Sequence, residues 1–335
     1  MQRRVSVIRI VNFIKLISSY LLSILLRKPV YWGTAAFVSV EPTTHCNLRC
    51  PECLTGQRGL TRDAGSLNLP DFSRIIEQLP PQVSYLTLYF QGEPYLNKEL
   101  FHFISLARER QIYVWSSSNG HFLTEENIRK TIESGLNKLI ISLDGTDQET
   151  YGKYRIGGSF ETVVHGIRDF TRIRKEMNSR KPLLEIQFLV LRSNQHQIGE
   201  IKKLGKSLGA DRTVLKTAQF YDLSQENPLI PEEGKWSRYK QTRGQADKRT
   251  SVLGKFMIKN SLPNRCFRMW SGCVITWDGK VVPCCFDKDA KHCLGDLKTQ
   301  SFKEIWHGET YRAFRQTILK NRKSVEICRN CSQKV

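Results

Sequence analysis

Three cysteines in the first sixth of the chain have a spacing suited to iron–sulfur chemistry. Cys46, Cys50 and Cys53 form a C-x3-C-x2-C pattern, and thiolates at this density favour a soft-metal centre. A [4Fe–4S] cluster normally takes four cysteines, so three would leave one iron open for chemistry. Zinc is the alternative, but zinc favours four ligands in paired C-x2-C units, and only adjacent His45 could be a fourth.

The sequence around these cysteines, residues 41–53, resembles the cluster motif of the radical S-adenosylmethionine (SAM) family. In that family the three cysteines hold a [4Fe–4S] cluster, and SAM chelates the fourth iron. The resemblance implies reductive cleavage of SAM to methionine and a 5′-deoxyadenosyl radical, which removes a hydrogen atom from the substrate. Glu52 stands where many members carry an aromatic residue near the adenine.

Short β-branched segments alternate with longer amphipathic segments along residues 36–222. This alternation predicts a parallel sheet with right-handed crossovers. Six such units make an α/β fold, a partial (β/α)6 TIM-like barrel, which is also the fold that the resemblance implies. The predicted strands are 37–41, 85–90, 112–117, 138–143, 184–190 and 213–216, and the predicted helices are 71–78, 99–110, 125–134, 160–177 and 196–208.

Active residues of parallel barrels lie after the carboxyl ends of the strands, and the three cysteines follow the first predicted strand. Short motifs after the next four strands resemble SAM-binding elements of the family. Taken singly, each also fits an ordinary turn, helix cap or surface charge. The resemblance predicts SAM contacts from Gly92, Glu93, Ser117, Ser118, Asn119, Ser142, Asp144, Arg155, Val190 and Leu191.

A second group of cysteines occupies the C-terminal part of the chain, around a hairpin predicted by the turn residues Asp278 and Gly279. The order resembles the SPASM/Twitch extension of radical SAM enzymes and predicts a small cysteine-rich α+β extension with one auxiliary [4Fe–4S] cluster. Cys285 could replace Cys284, because adjacent strand residues point to opposite faces. Four thiolates also suit structural zinc. The predicted cluster ligands are Cys266, Cys284, Cys328 and Cys331.

The N-terminal segment is apolar from residue 8 to residue 26, with a narrow polar stripe at helical spacing. The pattern predicts an amphipathic helix that lies in a membrane interface or packs on the protein's own body. A signal peptide and a membrane span are less favoured. The stripe contains Arg9, Asn12, Lys15, Ser19, Ser23 and Arg27. The predicted domains are residues 1–30 (helix), 36–222 (barrel), 223–262 (connector) and 263–335 (extension).

The formal net charge of +20 favours acidic partners. We expect an acidic electron donor of the flavodoxin or ferredoxin type, and peripheral membrane contact through the N-terminal helix. Ten clustered cysteines favour metal binding in a reducing compartment, which predicts a cytoplasmic protein associated with the inner face of a membrane. We expect no nucleic acid, because the sequence has no signature of a nucleic-acid-binding module.

The function predicted from these features is that of a radical SAM oxidoreductase. Its substrate would be of a sugar or polyol type, or lipid-linked, with net oxidation or rearrangement as the outcome. A SPASM-type maturase of ribosomal peptides is the nearest alternative. More remote alternatives are an RNA-modifying radical SAM enzyme, which the positive charge favours, and a non-catalytic zinc-binding protein.

Overall fold

The computed structural model describes residues 2–220, 227–242, 256–259 and 261–331, with side chains from Ser6 onward. Much of the predicted connector and the last four residues of the predicted extension lie outside this part of the chain. The strands that it contains are β1 (Phe37–Val40), β2 (Tyr85–Thr87), β3 (Tyr113–Ser118), β4 (Lys138–Ser142), β5 (Leu183–Val190), β6 (Arg212–Thr217), β7 (Tyr239–Gln241), β8 (Phe256–Ile258), β9 (Gly272–Ile275), β10 (Lys280–Val282) and β11 (Gly295–Asp296).

The helices connect or cover these strands. They are α1 (Gln2–Leu26), α2 (Leu69–Gln78), α3 (Leu100–Glu109), α4 (Glu125–Glu133), α5 (Gln148–Gly152), α6 (Phe160–Glu176), α7 (Ile198–Ser207), α8 (Arg268–Ser271), α9 (Phe302–His307), α10 (Glu309–Asn321) and α11 (Glu326–Arg329). Strands β1 to β6 are parallel neighbours in chain order, with helices between them. The predicted partial (β/α)6 fold is therefore confirmed.

Alternate residues of each strand point to the helices or to the barrel interior. Val38, Leu86 and Val114 are buried on the helix side, where they join one apolar core with Phe72 and Phe103. The opposite side chains of the same strands line a partly polar interior. This arrangement leaves the carboxyl ends of the strands, and the loops after them, to form the site.

The C-terminal extension continues the barrel sheet. Strand β9 pairs in parallel with β1, and β10 and β11 follow as antiparallel neighbours. The predicted hairpin is present, and Gly279 takes a φ of +90° in its turn. A Cβ on Gly272 would lie 2.2 Å from the Phe37 carbonyl oxygen, so the close β1–β9 approach requires glycine there. One nine-stranded sheet thus runs through both predicted domains.

Several element boundaries differ from the predicted ones for local reasons. Helix α2 begins two residues early because the Asn68 side chain caps it by accepting a hydrogen bond from Asp71 N. Strand β2 ends at Thr87, since the following residues turn toward the cluster loop. Short α5 and the longer α10 were not predicted. The described part of the predicted connector has a 3₁₀ turn and the antiparallel pair β7–β8.

Helix α1 packs on the body through part of its polar stripe, whereas Lys15 and Arg27 of the same stripe are exposed. The Arg9 guanidinium donates to the Gln111 carbonyl at 2.8 Å, and the Asn12 amide exchanges two hydrogen bonds with Thr34. Ser19 and Ser23 are fully buried. By length and composition alone, Ser6–Leu26 could cross a membrane, although 28% of its most apolar window is buried against the body. The packed arrangement is therefore present, with the other part of the stripe inward.

Candidate functional site

The three N-terminal cysteines lie in the loop between β1 and α2. Cys50 is buried, whereas Cys46 and Cys53 are half-buried. The loop folds back on itself, since Cys53 N donates to the Cys50 carbonyl at 3.2 Å, and a Cβ on Gly56 would lie 2.7 Å from the Cys50 backbone. Burial raises the pKa of Cys46 to about 11 and also raises the pKa of Cys50. Binding a metal cluster here therefore requires the release of protons.

The cysteine arrangement does not suit a single zinc ion. Within residues 2–220, 227–242, 256–259 and 261–331, no three Cys, His, Asp or Glu side chains are grouped to hold one metal ion. Zinc requires sulfur atoms at about 2.3 Å from one centre, whereas a four-iron cluster separates its thiolates around a larger body. Arg155 Nη1 lies 3.8 Å from Cys50 Sγ and supplies a cation for a thiolate. These residues fit an iron–sulfur cluster.

Gly92 brings the loop after β2 against the cysteine loop. Its φ is +76°, and a Cβ there would lie 2.4 Å from the Thr43 carbonyl oxygen. The next residue, Glu93, donates its backbone N–H to the His45 carbonyl at 2.7 Å. Only glycine allows both the conformation and the approach. The predicted Gly92–Glu93 element therefore lies beside the residues that precede Cys46.

The Glu93 carboxylate is buried at this junction. Its oxygens accept hydrogen bonds from Asn119 N at 2.7 Å and Tyr95 N at 3.2 Å. Burial raises the pKa of Glu93 to about 7, against the opposing effect of these hydrogen bonds. A carboxylate has about four acceptor positions, so it can still accept from an ammonium group. The geometry suits a partner that carries positive charge.

The predicted elements after β3 meet the same region. Asn119 Nδ2 donates to Asn47 Oδ1 at 2.7 Å, which ties the loop to the residue after Cys46. Ser118 is buried and hydrogen-bonds Glu93, whereas Ser117 is half-buried on the opposite side of the strand. Asn119 and Ser118 are thus brought to the carboxylate, and Ser117 faces the barrel interior.

After β4, Asp144 holds Arg155 against the cysteine loop. Arg155 Nε donates to Asp144 Oδ2 at 2.6 Å, and Asp144 Oδ1 accepts from Leu189 N at 2.7 Å. The nearby acidic groups, led by Asp144, raise the pKa of Arg155 despite its burial. Ser142 is buried at the end of the same strand. Arg155 is consequently a fixed cation next to Cys50.

The end of β5 completes this arrangement through a residue that the sequence reasoning missed. Val190 and Leu191 are fully buried, and Leu191 packs in the same apolar cluster as Cys50. Asn194 accepts from Leu191 N at 2.8 Å and donates to the Asp144 carbonyl at 3.0 Å. Asn194 therefore fixes the ends of two neighbouring strands. Its only sequence signal is its place after a predicted strand.

Contacts with later parts of the chain surround the cysteine loop. Glu52 Oε1 accepts from Asn227 Nδ2 at 2.9 Å, so the position that is often aromatic in the family binds the connector here. Arg62 forms a buried ion pair with Glu41 at 2.5 Å and donates to the Lys288 carbonyl at 2.7 Å. The loop is thus held by the barrel on one side and by the extension on the other.

The four predicted auxiliary ligands border one small cavity in the extension: Cys266, Cys284, Cys328 and Cys331. Burial raises the pKa of Cys328 to about 11 and also raises the pKa values of Cys266 and Cys284. Arg322 Nη2 lies 3.3 Å from Cys331 Sγ. This cavity therefore gathers thiols and a cation from separate segments, which fits a cluster-binding pocket.

The other cysteines of the extension have different surroundings. Cys285 is not in the lining of that cavity and lies 3.6 Å from Arg268 Nη1. Cys273 is buried on β9, where burial raises its thiol pKa to about 12, and Cys293 is exposed. Of the two adjacent cysteines, the geometry brings Cys284 and not Cys285 to the other three.

A cavity of about 500 Å³ joins the barrel interior to the auxiliary cysteines. Its barrel side includes Ser39, Thr87 and Trp115, and its extension side includes Cys266 and Cys284. Beside it, the Lys138 ammonium lies 4.1 Å from the Trp115 ring centroid and 3.5 Å from the Glu185 carboxylate. The cavity therefore offers aromatic rings and hydroxyl groups to a bound molecule, and the ion pair lies behind Trp115 and outside the lining.

Comparison with known proteins agrees with this geometry. Residues 40–179 match the model of the radical SAM superfamily, and residues 266–332 match SPASM, an iron–sulfur cluster-binding domain. The chain therefore carries a radical SAM domain and a C-terminal SPASM domain. Its cofactors are accordingly SAM, a [4Fe–4S] cluster at the SAM site, and auxiliary iron–sulfur binding in the extension.

Two curated relatives show the range of proteins to which the chain is similar. It is 25% identical to the tungsten-containing aldehyde ferredoxin oxidoreductase cofactor-modifying protein of Pyrococcus furiosus, over 88% of this chain and 87% of that protein. It is also 25% identical to the PqqA peptide cyclase of Granulibacter bethesdensis, over 88% of this chain and 79% of the relative.

Two solved structures share the fold. BtrN in complex with AdoMet and 2-DOIA has a TM-score of 0.53 at 18% identity, covering 90% of this chain and 94% of BtrN. Streptococcus suis SuiB bound to S-adenosylmethionine has a TM-score of 0.64 at 14% identity, covering 89% of this chain and 72% of SuiB. At these identities the likeness supports the fold and not a particular substrate.

Proposed function

We propose that this chain is a radical SAM oxidoreductase that oxidises a small polyhydroxylated molecule in the cavity between the barrel and the extension. The observation that carries the proposal is that one cavity borders both barrel residues and Cys266 and Cys284. The barrel side of this cavity lies along β1, β2 and β3, whose carboxyl ends lead to the proposed SAM site, and its other side holds two proposed auxiliary ligands. The proposed SAM-site cluster ligands are Cys46, Cys50 and Cys53, and the proposed auxiliary ligands are Cys266, Cys284, Cys328 and Cys331.

The cavity volume and lining support the substrate class. About 500 Å³ lies within the range of small-molecule sites. A sugar ring presents apolar C–H groups that pack on an aromatic face such as Trp115, and hydroxyls that bond to Ser39 or Thr87.

The protein's own residues position SAM. When bound, the reduced cluster and SAM supply a radical that removes one hydrogen atom, and the auxiliary cluster takes up the remaining electron. Glu93 holds the SAM ammonium, with Gly92 giving access. Loss of a hydrogen atom, a proton and an electron balances a two-electron oxidation of an alcohol to a carbonyl.

We propose that the remaining predicted SAM contacts lie at the ends of β3, β4 and β5 and in the loops after them: Ser117, Ser118, Asn119, Ser142, Asp144, Arg155, Val190 and Leu191. Asn119 and Asp144 act through the network around Glu93 and Arg155.

Reduction of the cluster requires an electron donor. Exposed Arg49 and Arg58 flank the cavity of about 400 Å³ beside Cys46 and suit an acidic carrier of the flavodoxin or ferredoxin type. No disulfide bond joins any of the ten cysteines, all of which lie in the described residues, and this fits a reducing cytoplasm.

Isotope transfer tests this proposal. The reconstituted protein, reduced without oxygen, is given SAM with a pool of perdeuterated sugars and polyols, or with deuterated peptides encoded beside its gene. Deuterium in 5′-deoxyadenosine from a sugar or polyol, lost in Trp115→Ala but kept in the exposed-site control Trp32→Ala, is the expected result. Deuterium transfer from the peptides alone would overturn the proposal and favour the peptide maturase function, which the similarity to PqqA peptide cyclase keeps as the second candidate.

A further inference from the structure

We propose that the outer face of α1 docks on the surface of an anionic lipid bilayer. Asn12, Ser19 and Ser23 of this helix are buried against the body, whereas most of its exposed residues are apolar. Ile10, Ile14 and Leu21 are each about 60% exposed, and Leu25 is 79% exposed. The exposed large apolar residues of the helix are Val7, Ile10, Val11, Phe13, Ile14, Ile17, Leu21, Leu25 and Leu26. Such a continuous exposed apolar surface is unusual for a protein that meets only water.

The inward polar residues hold the helix in this orientation by specific bonds. Arg9 donates to three backbone carbonyls of the barrel, and Asn12 pairs with both backbone groups of Thr34. Ser23 exchanges two hydrogen bonds with Val30. Rotating the helix to bury its apolar side would break all of these bonds inside the protein. The apolar surface is therefore a fixed outer face.

The basic residues around this face indicate that an anionic lipid surface binds there. The first forty residues contain six Arg or Lys residues and no Asp or Glu. Lys15, Arg27 and Lys28 are exposed on or just beyond the helix. Two copies of this chain that met through α1 would bring these like charges together, whereas anionic headgroups would neutralise them. An apolar face with a basic border is the composition that binds at the interface of an anionic membrane.

This face adjoins the substrate cavity. Phe13 is one of the exposed apolar residues of α1, at 42% exposure, and also lines the cavity of about 500 Å³. A membrane bound at α1 would therefore lie at the entrance to that cavity. Taken with the proposed function, this arrangement suits a polyhydroxylated group carried on a lipid anchor. That extension rests on the proposed function, whereas membrane docking rests on the helix alone.

Flotation of the full chain with vesicles tests the docking. Vesicles of phosphatidylcholine with phosphatidylglycerol should float the protein, and added salt should weaken the binding. The triple variant Ile10→Gln, Ile14→Gln, Leu21→Gln should bind vesicles about a hundredfold more weakly or worse, because it lacks three apolar side chains that the membrane would bury. Lys15→Gln should weaken binding about fivefold and only to the anionic vesicles. Iron content and SAM cleavage should not change in either variant.

A matched control replaces exposed apolar residues elsewhere, in the triple variant Leu96→Gln, Ile156→Gln, Leu183→Gln, and should still float. The ring centroids of Tyr20 on α1 and Phe267 lie 5.2 Å apart, and Phe267 is next to Cys266. Removing the helix would expose this contact, so substitution is preferable. Absence of flotation by the unaltered protein would overturn the proposal. So would a dimer in light scattering that only the α1 variant disperses, since a second copy would then cover the face. Neither result depends on whether a polyol is the substrate.

Discussion

The two groups of cysteines differ in how completely the chain surrounds them. Cys46, Cys50 and Cys53 come from one loop and lie beside a cavity of about 400 Å³ that Cys46 helps to line. The four predicted auxiliary ligands come from three segments of the extension and border a cavity lined also by Met269, Ile318 and other apolar side chains. Three thiols beside open space suit a cluster that must bind a further molecule, whereas four enclosed thiols suit a cluster that is held completely.

The cations beside the two groups differ in the same sense. Arg155 lies near Cys50 but is ion-paired with Asp144, so its charge is largely compensated there. Arg322 donates to Cys331 Sγ and to the Arg265 carbonyl, which leaves its charge to the thiolates. We expect the auxiliary site to stabilise a more negatively charged cluster than the SAM site, where Asp144 already compensates the charge of Arg155.

The largest expected effect is that of removing the N-terminal cysteines. The triple variant Cys46→Ala, Cys50→Ala, Cys53→Ala should abolish SAM cleavage and reduce the iron content from about eight to about four per chain. Chromatography of 5′-deoxyadenosine and iron analysis measure the two quantities. The control Cys293→Ala removes an exposed thiol and should change neither. Continued formation of 5′-deoxyadenosine by the triple variant would contradict the ligand assignment.

The next effect distinguishes the two adjacent cysteines of the extension. Cys284→Ala should remove the auxiliary cluster, about four irons, because Cys284 borders the cavity of the other three thiols. Cys285→Ala should leave the iron content unchanged. Both variants should still cleave SAM, since neither touches the loop at Cys46. If Cys285→Ala lost iron and Cys284→Ala did not, the auxiliary ligand set would include Cys285 in place of Cys284.

The contacts between the cysteine loop and the extension can be broken at Arg62. Arg62→Met leaves Glu41 buried without its ion pair and should lower the free energy of unfolding by about 3–5 kcal/mol. Denaturant titration of the anaerobic protein measures the change. Arg74→Met is the control, because Arg74 and Asp71 form an exposed pair at 3.4 Å whose loss should cost less than about 1 kcal/mol. Equal effects would mean that the Glu41 contact is not structural.

The features predicted correctly from the sequence depend on short-range patterns. The spacing of Cys46, Cys50 and Cys53 is set within one loop, and strand–helix alternation alone indicates a parallel sheet with its site at the strand ends. The hairpin around Gly279 is likewise a local signal. Such features are determined by neighbours in the chain, so they can be inferred without the tertiary structure.

The features that escaped prediction depend on tertiary contacts. Pairing of β9 with β1 joins residues about 235 positions apart, and no local pattern encodes it. Helical periodicity identified the polar stripe on α1, but it could not tell which side meets the body, since both sides obey the same period. The contact of Glu52 with Asn227 is also long-range. The burial of a polar residue such as Asn194 can be recognised only when the positions of its hydrogen-bond partners are known.

The smallest of these effects concerns Glu93 and SAM binding. Glu93→Gln removes a charge-assisted hydrogen bond to the SAM ammonium and should weaken binding by about 1.5–3 kcal/mol, measured by calorimetry, with unchanged iron content. Asn127→Ala, a half-buried amide in the first turn of α4, is the control. Unaltered SAM affinity in Glu93→Gln would remove Glu93 from the site.

The pH dependence of SAM affinity separates charge from shape at Glu93. Because burial raises the Glu93 pKa to about 7, the carboxyl is mostly neutral below that pH and SAM should bind about tenfold more weakly at pH 6 than above pH 8. A raised carboxyl pKa also means that the SAM-free protein loses stability as pH rises from about 4.5 toward 7, since ionising the buried group is unfavourable. SAM should offset that loss. The side chain introduced by Glu93→Gln cannot ionise, so the pH dependence of SAM affinity and that of stability should both disappear in this variant. A pH dependence that persists there arises from the amino group of SAM or from another residue.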